Sequence, residues 1–242
     1  MGNIDAHTHK PWVVLPVKAV EQSNSRLKPL LSPTEREQLT LTMLEDVVDT
    51  LGCVSDLGGL LVVTSCPIVK EYLSKLGVAY IEEGGRPELN SAINKGVQFL
   101  EKMGIRKFFT IPGDVPLLAV AEINQLTACL RSTEGIILVP AHDGAGTNSI
   151  ASSIPIQITT QFGMNSLAAH RRIARDQGLS VDVLPLSGLG FDIDWPDDLI
   201  QLASMGGDSN THRFLNNIDL VQRRNRSKSL DHSSAAQAER MI

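Results

Sequence analysis

Strand-like runs recur along the chain, each stopped by proline, glycine or a polar cluster: Trp12–Val17, Leu60–Thr64, 78–81, Phe108–Ile111, Gly135–Pro140 and Leu179–Leu184. Most are continuous rather than alternating, as expected of strands covered on both faces of a parallel sheet. Helical spacing fills the intervals. Ser32-Pro33-Thr34-Glu35 is a capping box with proline at the first helical position; Leu39, Met43, Leu44, Val47, Val48 and Leu51 follow, and Gly52 ends the helix. Further helices are predicted over 67–76, from an Asn90 cap to about Met103, over 119–130, 165–177 and 210–222, with Pro196 opening another. The polar residues 141–148 read as a loop. The pattern predicts an α/β fold: a single domain with a mostly parallel sheet flanked by helices. It spans 12–222, between a polar leader over 1–11 and a Ser/Ala/Gln-rich tail over 223–242, both expected to be disordered.

Composition narrows the classes of function. The chain has 242 residues, 42% hydrophobic and 20% charged, with 22 basic and 27 acidic residues and a net charge of −5. A basic excess to neutralise a nucleic-acid backbone is missing, so no nucleic-acid partner is expected. A small anionic substrate is compatible, because a local basic pocket does not need a basic protein. Cys53, Cys66 and Cys129 are widely spaced and form no CxxC, which suits a reducing compartment. No apolar run approaches the roughly 18 residues of a membrane span, and the expected location is the cytoplasm. His7-Thr8-His9 has the form of an HxH metal pair, but only Met-Gly-Asn-Ile precedes Asp5, with no buried strand to close, and the segment reads as a polar terminus.

The candidate chemistry gathers where strands end. The run through Phe108–Ile111 stops at Pro112-Gly113, and Asp114 follows at once. Ligands of open α/β sheets bind outside the carboxyl ends of the strands, so Asp114 can hold Mg²⁺ over a bound phosphate. Phe191-Asp192-Ile193-Asp194 puts Asp192 and Asp194 on one side of an extended segment, where they can join Asp114 around one or two Mg²⁺ ions; the alternative is a capped turn with solvated aspartates. Asp197 and Asp198 decorate the helix that Pro196 opens. Lys18, after the first strand, and Arg26 can clamp a triphosphate or stand as two solvated cations. The helix beginning at Asn90 can receive a phosphate or a base edge at its N-terminus. His142-Asp143-Gly144-Ala145-Gly146-Thr147-Asn148 offers backbone N–H and hydroxyl donors to an oxyanion, or is an ordinary surface turn. Gly163 and Ser166 lie at another helix start; His170, Arg171 and Arg172 read as a solvated basic face. Cys66, with no histidine nearby in sequence, reads as structural.

In this order Val14-Leu15-Pro16-Val17-Lys18, Ser25-Arg26-Leu27, Pro112-Gly113-Asp114-Val115-Pro116, Gly144-Ala145-Gly146-Thr147-Asn148, Phe162-Gly163 with Ser166, and Asp192-Ile193-Asp194-Trp195-Pro196 resemble the 2-phospho-L-lactate guanylyltransferase family, over roughly residues 12–205. More distantly the chain is similar to molybdenum-cofactor guanylyltransferases. The resemblance implies a nucleotide-diphospho-sugar transferase-like, Rossmann-like fold. It also implies transfer of GMP from GTP to a phosphorylated three-carbon acid (2-phospho-L-lactate, phosphoenolpyruvate or 3-phospho-D-glycerate) in coenzyme F-420 biosynthesis. Asp114, Asp192 and Asp194 would then bind Mg²⁺; Lys18 and Arg26 would lie against the triphosphate; Thr147, Gly163 and Ser166 would hold the acid. Asn90 is a further nucleotide-binding candidate from its place at a helix start alone. His142 is a candidate for acid choice from its position alone. A homodimer stays open. Two departures stand out: Asn24 occupies the place of a usual lysine before Ser-Arg-Leu, and Trp195 that of a small residue. Rival readings are a nucleotidyltransferase with another phosphorylated acceptor and a nucleotide-binding module without catalysis.

Overall fold

The computed structural model describes residues 9–20, 23–84 and 88–220. Seven strands, β1 (Trp12–Pro16), β2 (Gly59–Val63), β3 (Tyr80–Ile81), β4 (Lys107–Thr110), β5 (Ile136–Pro140), β6 (Thr147–Ser153) and β7 (Val181–Val183), form one sheet in the order β3-β2-β1-β4-β6-β5-β7. The helices are α1 (Pro33–Gly52), α2 (Pro67–Leu76), α3 (Leu89–Lys102), α4 (Val120–Ser132), α5 (Ser166–Asp176), α6 (Pro196–Met205) and α7 (Asn210–Asn217), with a 3₁₀ turn at Ser25–Leu27. The mostly parallel α/β expectation holds: β1 pairs in parallel with β2 and β4, β2 with β3, and β5 with β7.

Both faces of the sheet are covered, which is why its strands read as apolar runs. Val13, Leu15, Val62 and Phe109 pack with Val47 and Leu51 of α1 and Ile123 and Leu126 of α4. The alternate residues Val14, Leu61, Val63 and Phe108 meet Ile93, Val97 and Leu100 of α3 on the other face. Beyond the strand ends a satellite cluster joins Leu39 and Met43 of α1 to Ile193, Leu199 and Leu202 around α6 and Leu215 of α7. The Ser32 cap forms as expected, with Glu35 N–H on Ser32 Oγ and Ser32 N–H on Glu35 Oε2.

The sequence pattern misses β6. Thr147-Asn148-Ser149-Ile150-Ala151-Ser152-Ser153 is polar and small, yet it is almost wholly buried between β4 and β5, antiparallel to both. Hydroxyl-bearing residues replaced the apolar run on which strand recognition depends. Other corrections are local. Glu88, not Asn90, stands at the N-cap position of α3, and its side chain makes no cap bond. The helix expected over 210–222 ends at Asn217, where Asp219 takes φ 52°. Lys10 and Pro11, counted with the leader, are tied to the domain through Lys10 Nζ to Ser55 O and Gly58 N–H to Pro11 O. His7 and the tail lie outside the described residues.

Helix α3 comes so close to the sheet that a Cβ built on Gly96 would stand 2.6 Å from Val14 Cγ1 and 3.1 Å from Val63 Cγ2. Gly96→Val therefore overpacks this contact. The expected loss is about 1–3 kcal/mol, read in urea unfolding as a lower midpoint at unchanged m-value.

Candidate active site

Strand β4 ends because Pro112 cannot extend a ladder; Ile111 N–H makes the last bond, to Val14 O. The chain then turns through Gly113, so Asp114 emerges at the carboxyl edge of the sheet. Thr147 reaches the same edge for the opposite reason. Because β6 runs antiparallel to β4 and β5, its first residues lie where those strands finish, and Thr147 sits across from Pro140. A cavity of about 420 Å³ opens at this edge. Lys18, Arg26, Asp114, Asp192 and Asp194 line it, and so do Thr147, Asn148, Gly163 and Ser166.

The two aspartate segments are joined by backbone: Ile193 N–H donates to Asp114 C=O at 3.0 Å. Ile193 is fully buried in the satellite cluster, and the alternation that buries it turns Asp192 and Asp194 the other way, into the cavity. Glu122 of α4 anchors the approach to this segment by accepting Gly188 N–H at 2.6 Å and Leu189 N–H at 3.0 Å. Asp198 caps α6 by accepting the N–H groups of Asp194 and Trp195 at 3.0 and 2.7 Å.

Electrostatically the site is short of cations. Burial, then the charges of Asp192 and Asp194, push Asp114 up to about 7 against the pull of its own N–H and Lys18. Its Oδ1 is enclosed and has no hydrogen-bond partner among the described residues. Burial and Asp192 raise Asp194 too, while Arg26 at 2.5 Å opposes them. Asp192 accepts from Asn148 Nδ2 at 3.0 Å and lies 3.4 Å from His142 Nδ1. Burial works against a charged His142, but Asp198 and Asp192 outweigh it and raise the imidazole. Among the described residues no three His, Cys, Asp or Glu side chains form a ready-made metal cage. Mg²⁺ needs none, since it takes one or two carboxylates and completes its shell with waters and substrate phosphates. An enclosed, unpartnered carboxylate oxygen among like charges fits such an ion.

Several expected roles shift. Asn90 does not line the cavity; its amide holds the backbone of Phe162, accepting its N–H at 2.9 Å and donating to its carbonyl at 3.4 Å. His142 also stands off the cavity wall, between Asp192 and Asp198. The 141–148 loop offers an oxyanion little backbone: Asp143 Oδ1 accepts Ala145 and Gly146 N–H, Gly144 N–H goes to Ala141 O, and Thr147 N–H goes to Ser166 Oγ. Arg26 pairs with Asp194 and stacks 4.6 Å from the Trp195 ring centroid, so the unusual Trp195 steadies the cation at the rim. Asn24 sits in left-handed backbone at φ 53°, which asparagine tolerates better than lysine, and donates to Thr40 Oγ1. His170 is no part of a solvated face. It is fully buried, 3.1 Å from Thr147 Oγ1, with Gln161 N–H donating to its Nε2 at 2.8 Å. The signal available was spacing: His170 lies one helical turn after Ser166.

Comparisons with known proteins agree on one family and one fold. A family model described as guanylyl transferase CofC-like matches residues 12–236. The phosphoenolpyruvate guanylyltransferase of Sphaerobacter thermophilus is 33% identical over 78% of this chain and 91% of its own. The 2-phospho-L-lactate guanylyltransferase of Methanothermobacter thermautotrophicus is 32% identical over 86% of this chain and 91% of its own. Among solved structures, a Desulfovibrio desulfuricans G20 protein assigned as a nucleotide-diphospho-sugar transferase superposes with a TM-score of 0.72 at 16% identity, covering 89% of this chain and 98% of its own.

Burial lowers His170 from the usual 6.5 to about 4. Between those values the unfolded chain binds a proton that the folded one refuses, so stability is lost as pH falls from about 6.5 toward 4. The share owed to His170 is on the order of 2–3 kcal/mol. It is isolated by comparing urea midpoints of the wild type and His170→Asn at pH 7 and pH 4.5, where the variant should show the smaller drop.

Proposed function

The chain belongs to the CofC-like guanylyltransferase family, and on that premise we propose that it transfers GMP from GTP to a phosphorylated three-carbon acid, releasing pyrophosphate, for coenzyme F-420 biosynthesis. The observation that carries this reading is the gathering of Asp114, Asp192 and Asp194 with Lys18 and Arg26 in one cavity that the Thr147 and Ser166 hydroxyls also line. Asp114, Asp192 and Asp194 would hold Mg²⁺, which supplies positive charge to the α-phosphate and the departing pyrophosphate.

The residues answer the demands of the reaction in turn. A phosphate oxygen of the acid attacks the α-phosphorus of GTP; the bond from that phosphorus to its bridging oxygen breaks, and the electron pair leaves with pyrophosphate. The attacking oxygen is already ionised near pH 7, so no general base is needed. What the protein must do is bring two polyanions together and stabilise charge on the leaving group. Lys18 is exposed at the cavity and meets the triphosphate directly. Arg26 first lets go of Asp194; both partners are about half exposed, and such pairs are worth only about 0–1 kcal/mol, so exchange for a phosphate is easy. Gly163 can turn its backbone toward the acid because its φ of 138° suits glycine and nothing lies within 4 Å of where a Cβ would be.

Pyrophosphate release with Mg²⁺ and GTP, run separately with 2-phospho-L-lactate, phosphoenolpyruvate and 3-phospho-D-glycerate, is the test. Release is expected with at least one acid and is expected to stop when Mg²⁺ is chelated. Folded protein that binds GTP yet releases nothing with any acid would overturn the reading. Asp114→Asn should keep the fold by circular dichroism and lose roughly 10²–10³ in kcat, whereas Lys18→Ala should raise the KM for GTP roughly tenfold or more.

A further inference from the structure

His170 is too far inside the wall to touch a ligand, yet its hydrogen bonds decide what Thr147 can do. Gln161 N–H donates to Nε2 at 2.8 Å, so that nitrogen carries no proton. A neutral imidazole must then carry its proton on Nδ1, 3.1 Å from Thr147 Oγ1. Thr147 Oγ1 is therefore the acceptor in this pair, and its own hydroxyl proton is left to donate elsewhere. Ser166 is arranged in the same way: its Oγ accepts Thr147 N–H at 2.8 Å, and its hydroxyl proton is likewise left over. Both residues line the cavity.

We propose that His170 is a positioning residue, held in its Nδ1–H tautomer by the Gln161 backbone, that turns the Thr147 hydroxyl into an obligate donor to the anionic end of the acid substrate. The inference rests on the function proposed above and goes beyond it by assigning who orients the acid. Burial explains why the ring stays neutral: it lowers the group to about 4, with no charged neighbour contributing to the shift. A charged ring would lose the Gln161 bond, since Nε2 would then be a donor. The segment that locks the tautomer is itself held. Asn90 grips the backbone of Phe162, and the Phe162 ring meets the His170 ring edge-on at 5.1 Å between centroids.

An acid recognised this way meets hydroxyl donors rather than a cation, which spares the site a further charge to desolvate beside the metal and the triphosphate. The contribution is to binding of the acid and not to the nucleotide.

The test is kinetic, with the acid that the wild type turns over. His170→Ala should raise the KM for that acid roughly tenfold to a hundredfold, as for a lost hydrogen bond to a charged group, with the KM for GTP unchanged. His170→Asn, whose amide can stand in for Nδ1–H, should recover most of the loss. Once Thr147→Val is present, adding His170→Ala should cost nothing further. Equal losses toward GTP and acid, no rescue by asparagine, or additive effects in the double variant would overturn the proposal. Should His170→Ala fail to fold, the ring ¹⁵N shifts of wild-type His170 decide it: an Nε2–H tautomer refutes the assignment. A wild type that turns over no acid fails the function proposed above, whereas an active wild type with an indifferent His170→Ala fails this one alone.

Discussion

Three carboxylates drawn to one edge of a sheet repel one another, and the surroundings of this cavity are arranged around that repulsion. Asp114, Asp192 and Asp194 are brought together by a backbone bond from Ile193 to Asp114 and by the burial of Ile193 beneath them. Each then has a different answer. Asp194 has Arg26, Asp192 has Asn148 and His142, and Asp114 has an enclosed oxygen with no partner among the described residues. An enclosed carboxylate oxygen without a donor is costly unless a cation meets it, and this is the strongest physical support for the metal-bound polyphosphate proposed above.

Holding like charges together requires a rigid frame. The frame comes from one face of the sheet and the helices beyond its strand ends: α1, α6 and α7 bury the satellite cluster under the aspartate segment, while Glu122 of α4 clamps the loop that leads into it. Asp46 of α1 adds to this by accepting the Asn210 and Thr211 N–H groups at the start of α7. Glu122, Asp46 and Asp198 thus act as acceptors of backbone N–H groups around the aspartate segment.

The opposite wall is built on a different principle. A reversed strand carries Thr147 and Asn148 to the edge, and α5 adds Ser166 and the buried His170. These groups are uncharged. The Thr147 and Ser166 oxygens are met by protein donors, so their hydroxyl protons are left for whatever anion arrives, while Asn148 donates to Leu189 O and Asp192. One half of the cavity therefore handles charge with charge and the other with oriented hydroxyls, a division that suits a nucleotide and a small phosphorylated acid bound side by side.

Much of this was legible in the residues. The apolar runs of β1, β2, β4 and β5 announce buried parallel strands, because a strand covered on both faces has no polar side to show. The Ser32 capping box and the stop at Pro112-Gly113 are local chemistry and needed no tertiary knowledge. Alternation around Ile193 likewise put Asp192 and Asp194 on one side. The chain's order of motifs pointed to its family, which the comparisons bear out. What stayed hidden depended on partners far away in sequence. Strand β6 is polar and small, so only its place between β4 and β5 makes it a strand. Asn90 and His142 carry side chains suited to ligands, but Phe162 in one case and Asp192 with Asp198 in the other engage them instead. His170 reads as one more polar residue on a basic helix until Gln161 and Thr147 fold against it. Periodicity and capping belong to neighbours along the chain, and sequence alone determined those; the proton a buried imidazole keeps is set by the groups on either side of it, and only the tertiary structure decided which groups those are.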